Sequence, residues 1–151
     1  MKFSALCPIS EKKVHAFLPR INATITFSLL SAYLFTGSIF IPLLLALDFL
    51  LRASDFGKYS LISITSHHTI KLFEISGSLI NAGPKLFAAR IGFLFAISIT
   101  VAQLAGFVSL AQIIAVVLAL FSFLEAAFGF CLACEIYPFV YRLAYRNKMV
   151  L

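Results

Sequence analysis

The sequence predicts an all-α membrane protein: a four-transmembrane-helix bundle with a cytoplasmic-side interfacial amphipathic helix between spans two and three. Composition is the first observation, because 62% of the 151 residues are hydrophobic, 12% are charged and the mean hydropathy is +1.03. Soluble domains average about 45–50% apolar and about 25% charged residues, and a soluble particle of this size cannot bury such an excess. The second observation is that the apolar residues form long runs separated by basic segments. No linker or internal repeat interrupts residues 1–151, so a single integral-membrane domain is expected.

The N-terminal segment, residues 1–20, mixes basic and acidic side chains before any apolar run starts, which is not typical of a cleaved signal peptide. Ser10 is predicted to cap a short helix in this segment, and Pro19 is then expected to open span one. The apolar face of the short helix would consist of Val14, Phe17 and Leu18.

The first apolar run, residues 21–51, is predicted to form two short spans at about 21–36 and 38–52. Thr36–Ser38 indicates a turn, and Pro42 is typical of the first turn of a second helix. Roughly 16 residues give about 24 Å of helix, which is shorter than a hydrocarbon core of about 30 Å. Local thinning of the bilayer or packing against longer helices can absorb that difference.

The segment at about 60–80 is predicted to lie in the plane of the headgroups rather than to span the bilayer. It contains His67, His68, Lys71 and Glu74, which are costly to place inside a membrane. Its apolar positions nevertheless follow a helical spacing, which is typical of an interfacial helix. The residues of this stripe are Leu61, Ile64, His68, Leu72, Ile75 and Leu79.

Spans three and four are predicted at about 86–105 and 110–130, joined by a turn at 106–109. The run is far longer than the roughly 20 residues of one crossing, and Arg90 and Glu125 are its only ionisable groups. Small residues recur at every fourth position on both spans, which predicts close packing of helix backbones. The two rows are Ala88, Gly92 and Ala96, and Ala111, Ala115 and Ala119.

The distribution of basic residues predicts that both termini are cytoplasmic, as in a multi-pass protein of a bacterial inner membrane. In the four-span arrangement, 11 of the 12 Lys and Arg residues share one side, and the other side has two uncharged turns. Excess Lys and Arg mark the cytoplasmic face of membrane proteins and attract anionic lipids. The net charge of +6 is therefore attributed to contact with the lipid bilayer, and no nucleic-acid partner is expected.

Four ionisable residues lie within or beside the predicted spans and form a predicted intramembrane charge cluster: Asp48, Arg52, Arg90 and Glu125. Asp48 and Arg52 are four residues apart on one helix and are expected to pair. Arg90 and Glu125 would lie roughly 7–9 Å deep from the same face on antiparallel helices, so they are expected to pair as well. A salt bridge that fixes helix register is at least as good an interpretation as a catalytic or transport role.

Two thiols, Cys131 and Cys134, lie at the predicted cytoplasmic end of span four, and Cys7 lies in the N-terminal tail on the same side. Structural disulfides are rare in the cytoplasm, so the three cysteines are candidate catalytic residues for thiol redox or sulfur chemistry. The position is unfavourable for a thiolate, because a helix C-terminus and the adjacent Glu135 both raise a thiol pKa. Glu125 lies about 120° around an unbroken helix from Cys131, so it can act as a base only if Gly129 breaks that helix.

A zinc site is the alternative interpretation of the cysteines. Cys7, Cys131 and Cys134 with His67, His68 or His15 would supply a Cys₃His ligand set, which suits tetrahedral Zn²⁺. The histidines lack the spacing of typical ligand motifs, and a purely structural role for the cysteines also remains open at this point.

Several short motifs resemble the bacterial membrane family known as domain of unknown function 4395. They are Cys7–Ile9, Arg20–Ala23, Tyr33–Gly37, Asp48–Arg52, Pro84–Gly92 and Phe128–Cys134, spread over about residues 5–137. Ala133 departs from the pattern, since Gly is expected between the two thiols. The resemblance implies an association with soluble thioredoxin-like and sulfurtransferase-like proteins, which favours thiol or sulfur chemistry.

Two functional hypotheses follow from the sequence. The first is a thiol redox or sulfur relay at the cytoplasmic face, working with a thioredoxin-like or sulfurtransferase-like protein. The second is a non-enzymatic membrane module that binds a metal ion, such as zinc, or a protein partner. The sequence contains no nucleotide-binding loop, no Ser-His-Asp arrangement and no aqueous-channel pattern.

Overall fold

Six α-helices and a two-stranded sheet form the described part, residues 13–54, 56–81 and 83–146, of a computed structural model. The strands are β1 (Lys13–His15) and β2 (Leu79–Asn81), and the helices are α1 (Leu18–Thr36), α2 (Phe40–Ala53), α3 (Leu61–Leu72), α4 (Gly83–Leu104), α5 (Val108–Phe128) and α6 (Leu132–Arg146). A 3₁₀ turn at Gly57–Tyr59 precedes α3.

Both predicted helix-breaking turns are confirmed. Helix α1 ends at Thr36 because Gly37 adopts a left-handed conformation with φ 65°, and its N–H donates to the Tyr33 carbonyl at 2.7 Å. Pro42 lies in the first turn of α2, where it costs no intrahelical hydrogen bond. The second turn, between α4 and α5, contains Gly106 at φ 86°.

The two helical hairpins pack so that both turns lie at one end of the bundle. Helix α1 packs on α5, α2 packs on α4, and α4 packs on α5. Gln103, near the end of α4, donates from Nε2 to the Gly37 carbonyl at 2.7 Å and accepts from the Tyr33 hydroxyl at 2.8 Å. We refer to this region, which contains Gly37, Gln103 and Gly106, as the turn end.

The core of the bundle confirms the close packing that the small-residue rows predict. Gly92 is buried, and a Cβ added there would lie 2.6 Å from Cε1 of Phe49. Glycine at this position therefore allows α2 to approach α4 at close range. The other buried members of the two rows are Ala96, Ala111, Ala115 and Ala119.

Two helices among the described residues, α4 and α5, are long and apolar enough to cross a membrane, judged by length and composition. Only 33% and 28% of their apolar windows are buried inside the molecule. Helix α2 has 14 residues, or about 21 Å, and α1 contains polar side chains such as Asn22 and Thr26. The prediction of four spans is therefore confirmed in part: six helices form, and two of them meet the criteria for spanning.

The predicted N-terminal helix is wrong at Val14, which lies in a strand. Strand β1 pairs antiparallel with β2, with Val14 opposite Ile80 and Lys13 opposite Asn81. Branched apolar residues favour such pairing over a helix that has few tertiary contacts. The predicted cap, Ser10, lies outside the described residues.

The predicted helix of this segment is confirmed for Leu61–Leu72 and wrong beyond that point, while its interfacial location stays a prediction. Glu74 has a positive φ of 45°, and residues 79–81 belong to β2 instead. Gly77 packs against His15, since an added Cβ would lie 2.7 Å from Cε1 of that ring. Pairing with β1 therefore overrides the helical spacing of the last predicted positions.

The apolar stripe of α3 faces away from the bundle. Leu61, Ile64 and Leu72 are exposed, whereas Ile62, Ser63 and Ser66 are buried. The Ser66 hydroxyl donates to the Asn22 side-chain oxygen of α1, which holds the polar face of α3 against the helices. The bundle therefore leaves the apolar stripe of α3 uncovered.

Candidate thiol site

The chain reverses direction immediately before the two thiols. Helix α5 ends at Phe128 because Gly129 is left-handed with φ 67°, and its N–H donates to the Glu125 carbonyl at 2.9 Å. Helix α6 begins at Leu132 and runs for 15 residues. The predicted placement of the thiols at the C-terminal end of span four is therefore wrong. The αL cap at Gly129 is common at helix ends and was the available signal in the sequence.

Cys131 and Cys134 lie instead at the N-terminus of α6. The Cys131 carbonyl accepts the first bonds of the helix, from the N–H groups of Cys134 at 3.0 Å and Glu135 at 3.1 Å. Cys131 thus occupies the N-cap position, and Cys134 is the third helical residue. Both thiols are free and half-buried. A helix N-terminus stabilises a thiolate, so the electrostatic argument from the sequence is reversed.

The two thiols are not equivalent. A hydrogen bond from the Cys134 thiol lowers the pKa of Cys131, and the Cys134 N–H and the charge of Lys85 act in the same direction, against burial and the charge of Glu125. The pKa of Cys134 is raised by that same hydrogen bond and by burial. The Cys134 sulfur also lies 3.7 Å from the Pro84 carbonyl, a second acceptor for its proton. The arrangement assigns the proton to Cys134 and thiolate character to Cys131.

An ion pair adjoins the thiols. Lys85 Nζ lies 3.1 Å from Glu125 Oε1, and the two side chains are 25% and 20% exposed. Glu125 therefore forms an ion pair with Lys85, which the sequence did not indicate, and its predicted pairing with Arg90 stays a prediction. Helix α4 begins at Gly83, earlier than predicted, so Lys85 is already helical. Arg90 lies five residues further along, about 140° around the helix from Lys85.

Arg20 is a second basic residue that sequence reasoning did not place at the site. A Cβ added to Gly129 would lie 2.5 Å from the Arg20 Nη2, so the guanidinium packs directly on the end of α5. A cation there interacts favourably with the helix dipole. The guanidinium also lies 5.9 Å from the ring centroid of Phe17. No local pattern in the sequence connects these positions, because the contact joins residues more than a hundred positions apart.

The predicted pair of Asp48 and Arg52 is present and caps α3. Asp48 Oδ1 accepts from the Ser60 hydroxyl at 2.6 Å and from the Ile62 N–H at 3.1 Å. Arg52 Nη1 lies 3.7 Å from Asp48 Oδ2. A carboxylate at the N-terminus of α3 stabilises that helix. Arg52 also interacts electrostatically with Glu125, which links this cluster to the ion pair beside the thiols.

We refer to this end of the bundle as the thiol end. Its members are Arg20, Asp48, Arg52, Lys85, Glu125, Cys131 and Cys134. Of the predicted charge cluster, the geometry places Asp48, Arg52 and Glu125 in this group. Arg90 is half-buried on α4, one and a half turns beyond Lys85.

The histidines of the alternative zinc site do not join the thiols. Within residues 13–54, 56–81 and 83–146, no three His, Cys, Asp or Glu side chains form a group that could hold a metal ion. His67 and His68 are exposed on α3, and His15 belongs to β1. Cys7 lies outside the described residues, so its predicted place beside the pair stays a prediction.

Comparison with known proteins places the chain in a family without assigning an activity. The family model described as Domain of unknown function (DUF4395) matches residues 14–142, and the chain belongs to this family. No curated protein and no solved structure shows significant similarity to the chain. The geometry of the thiol end is therefore the main source for an argument about function.

Proposed function

We propose that this member of the DUF4395 family is a multi-pass inner-membrane protein that performs thiol–disulfide exchange with a soluble protein at the cytoplasmic face. The observation that carries this proposal is the position of Cys131 and Cys134 at the N-terminus of α6, beside the Lys85–Glu125 ion pair. A helix N-terminus with a nearby cation is the environment in which reactive cysteines are found. In the cytoplasm such a pair is more often redox-active than structural, because structural disulfides are rare there.

The exposed apolar area supports the membrane location. Most of the surface of α4 and α5 is not covered by the rest of the molecule, although these helices are almost entirely apolar. An exposed apolar area of this extent in a monomer requires lipid or a large partner to cover it. We propose that α4 and α5 span the bilayer, and that α1 and α2 cross a locally thinned region beside them.

The distribution of charge supports a cytoplasmic thiol end. The loops at the turn end carry no charged residue from Thr36 to Phe40 or from Gln103 to Leu110. The thiol end carries the basic side chains of Arg20, Arg52 and Lys85, as the positive-inside rule requires of a cytoplasmic face. Both termini would then be cytoplasmic as well.

Two helices at the thiol end are suited to the membrane surface. Ile136, Phe139 and Leu143 of α6 form a helically spaced stripe, of which Phe139 is 77% exposed. Arg142 is exposed beside that stripe and can meet anionic headgroups. With the exposed stripe of α3, this helix would lie in the interface, with the first turn of α6 and its thiols open to the cytoplasm.

The proposed reaction begins with the Cys131 thiolate attacking a disulfide of the soluble partner. One new sulfur–sulfur bond forms, the partner's bond breaks, and one partner thiolate leaves. Cys134 then loses its proton and attacks Cys131, which forms the intramolecular disulfide and releases the second partner thiolate. The partner disulfide is reduced by two electrons and the cysteine pair is oxidised by two. The reverse sequence transfers electrons back.

Cys7 is proposed as a third thiol of the same site. Lys13 lies opposite Asn81, three residues before Pro84, whose carbonyl contacts the Cys134 thiol. The six residues from Cys7 to Lys13 can extend about 20 Å. A segment of that length can bring the Cys7 thiol to the pair, where it would attack one sulfur of the Cys131–Cys134 disulfide and release the other as a thiolate.

Trapping of mixed disulfides tests the proposed exchange. Cys134→Ser removes the resolving thiol, so Cys131 should remain joined to an oxidised thioredoxin-like or sulfurtransferase-like protein, or to Cys7. Cys131→Ser is the matched control and should trap far less, because the remaining thiol keeps its proton. Equal trapping by the two variants would contradict the assignment. Tightly bound zinc that is lost with either variant would identify the metal-binding module instead.

A further inference from the structure

We infer that Glu125 is the proton acceptor for Cys134 in the resolving step, and that Lys85 is the positioning residue that holds its carboxylate. This inference rests on the proposed thiol–disulfide exchange and adds the residue that makes its second step possible. It does not follow from the cysteine motif itself, because Glu125 belongs to the preceding helix.

The resolving step requires a base. Cys134 is the thiol that keeps its proton, both because it donates to Cys131 and because it is half-buried. Once Cys131 is part of a mixed disulfide, Cys134 must become a thiolate before it can attack. A thiol whose pKa lies well above neutrality supplies very little thiolate without a base.

The turn at Gly129 makes Glu125 available to the thiols. On an unbroken helix Glu125 and Cys131 would lie about 120° apart. The left-handed Gly129 ends α5 at Phe128, and the chain turns into α6 within three residues. The charge of Glu125 consequently acts on both Cys131 and Cys134.

Cys134 and Glu125 each contact one of two adjacent residues at the start of α4. The sulfur lies 3.7 Å from the carbonyl of Pro84, and the next residue, Lys85, lies 3.1 Å from Glu125 Oε1. The two other carboxylates near the thiols are less suited than Glu125 to accept the proton of Cys134. Asp48 accepts hydrogen bonds from Ser60 and Ile62, and Glu135 is exposed on α6.

Three basic side chains lie around the Glu125 carboxylate and orient it. Lys85 of α4 binds Oε1, Arg52 of α2 acts on the carboxylate from the other hairpin, and Arg20 of α1 packs on the end of α5.

The proton balance of the step is complete. The Cys134 proton passes to the Glu125 carboxylate, the Cys134 thiolate attacks Cys131, and the partner thiolate leaves. The neutral Glu125 then gives its proton to the leaving thiolate or to water, which restores the ion pair with Lys85. No oxidant or reductant other than the partner disulfide takes part.

The reaction of the purified protein with 5,5′-dithiobis(2-nitrobenzoate) tests this inference. Cys7→Ser serves as the background, so that only two thiols remain. With one reagent molecule per protein, the first thionitrobenzoate released reports attack by Cys131, and the second reports resolution by Cys134, because no reagent remains for a separate reaction of Cys134. Glu125→Gln should slow the second release at pH 7 by about 10²-fold, the lower range of general-base catalysis. Its rate should then rise with pH, up to the pKa of Cys134 itself.

The conservative variants separate a base from a merely structural residue. Glu125→Asp should recover much of the second release, and Lys85→Gln should slow it less than Glu125→Gln does. Glu135→Gln removes an exposed carboxylate next to Cys134 and should not slow the second release. If Glu125→Gln fails to fold, the double variant with Lys85→Gln removes both charges and should still resolve slowly.

Two negative results have different meanings. If the wild-type pair releases no second thionitrobenzoate, Cys131 and Cys134 do not form a disulfide and the proposed exchange itself is overturned. If the second release is normal in wild type and equally fast, with the same pH profile, in Glu125→Gln, the exchange stands and only the role of Glu125 is overturned.

Discussion

A left-handed glycine ends a helix at each end of the bundle, but the residues that pack around the glycine differ between the two ends. Gly37 and Gly129 end α1 and α5 with nearly equal φ angles of 65° and 67°. A Cβ added to Gly37 would meet nothing within 4 Å, whereas one added to Gly129 would meet the Arg20 guanidinium. At the turn end the glycine reverses the chain, and its carbonyl accepts one neutral hydrogen bond from Gln103. At the thiol end it also brings charged groups from α1, α4 and α5 next to two cysteines.

The polar contacts differ in the same way. The turn end is held by neutral hydrogen bonds from Tyr33 to Gln103 and from Gln103 to the Gly37 carbonyl. The thiol end is held by ion pairs, Asp48 with Arg52 and Lys85 with Glu125. Ionised groups are costly to bury, and their protonation depends on the groups around them. They are therefore better suited to chemistry than to holding helices together. The comparison predicts that the two ends respond differently to substitution.

The largest effect on stability is expected from Asp48→Ala. It removes the acceptor of the Ser60 hydroxyl and the Ile62 N–H and leaves Arg52 without its carboxylate, at a cost of about 3–5 kcal/mol. Replacing Arg52 by Met as well should recover part of that loss. Gln103→Leu, the matched change at the turn end, should cost about 1–3 kcal/mol, since it removes only neutral bonds.

Thermal melts of the purified protein in detergent measure this difference. The comparison between the ends would fail if Gln103→Leu destabilised as much as Asp48→Ala. It would also fail if the losses from Asp48→Ala and Arg52→Met were simply additive.

A smaller difference is expected between Gly129→Ala and Gly37→Ala. Both place a Cβ on a left-handed residue, at a cost of about 1–2 kcal/mol. Gly129→Ala must also displace the Arg20 guanidinium, so it should be the more destabilising of the two. Adding Arg20→Ala should remove most of the excess in the same melting experiment. Identical melting temperatures for the two single variants would show that Arg20 does not press on Gly129.

The smallest effect on stability is expected from Lys85→Gln. The pair with Glu125 is 25% and 20% exposed, so solvent screening limits its contribution to about 1 kcal/mol or less. The melting temperature should therefore change little, while the second thionitrobenzoate release slows. A large loss of stability with unchanged release would make this pair structural, like the contacts of the turn end.

The fold was predictable where local chemistry determines it. Gly37 and Gly106 mark the two turns, and the small-residue rows of α4 and α5 mark the packed faces. The strand at Val14 was not predictable, because its partner β2 lies more than sixty residues away in sequence. The polar face of α3 and its exposed apolar stripe did follow the helical spacing, up to the point where pairing with β1 takes over.

The candidate site was predictable in its residues but not in its arrangement. The sequence identifies Cys131, Cys134 and Glu125, and Gly129 is a typical signal of a helix end, but the apolar run continues past it and favours an unbroken α5. That single φ angle decides whether the thiols lie at a helix C-terminus or at a helix N-terminus. Span three is predicted to begin at residue 86, which leaves Lys85 in the preceding loop, although Pro84 is a typical signal of the first turn of a helix.

The dependence of Cys131 alkylation on pH tests the central claim most directly. Iodoacetamide labelling followed by mass spectrometry should give Cys131 a midpoint below the ordinary thiol value of about 8.5, because the thiolate is stabilised in the folded protein. Cys134→Ala removes the hydrogen-bonding thiol and should move that midpoint to higher pH. A thiol introduced by Ser109→Cys at the N-terminus of α5, in a chain without the native cysteines, is the turn-end reference and should titrate above Cys131. If Cys131 titrates at or above that reference and does not respond to Cys134→Ala, the thiol end has no activated cysteine and the account is wrong.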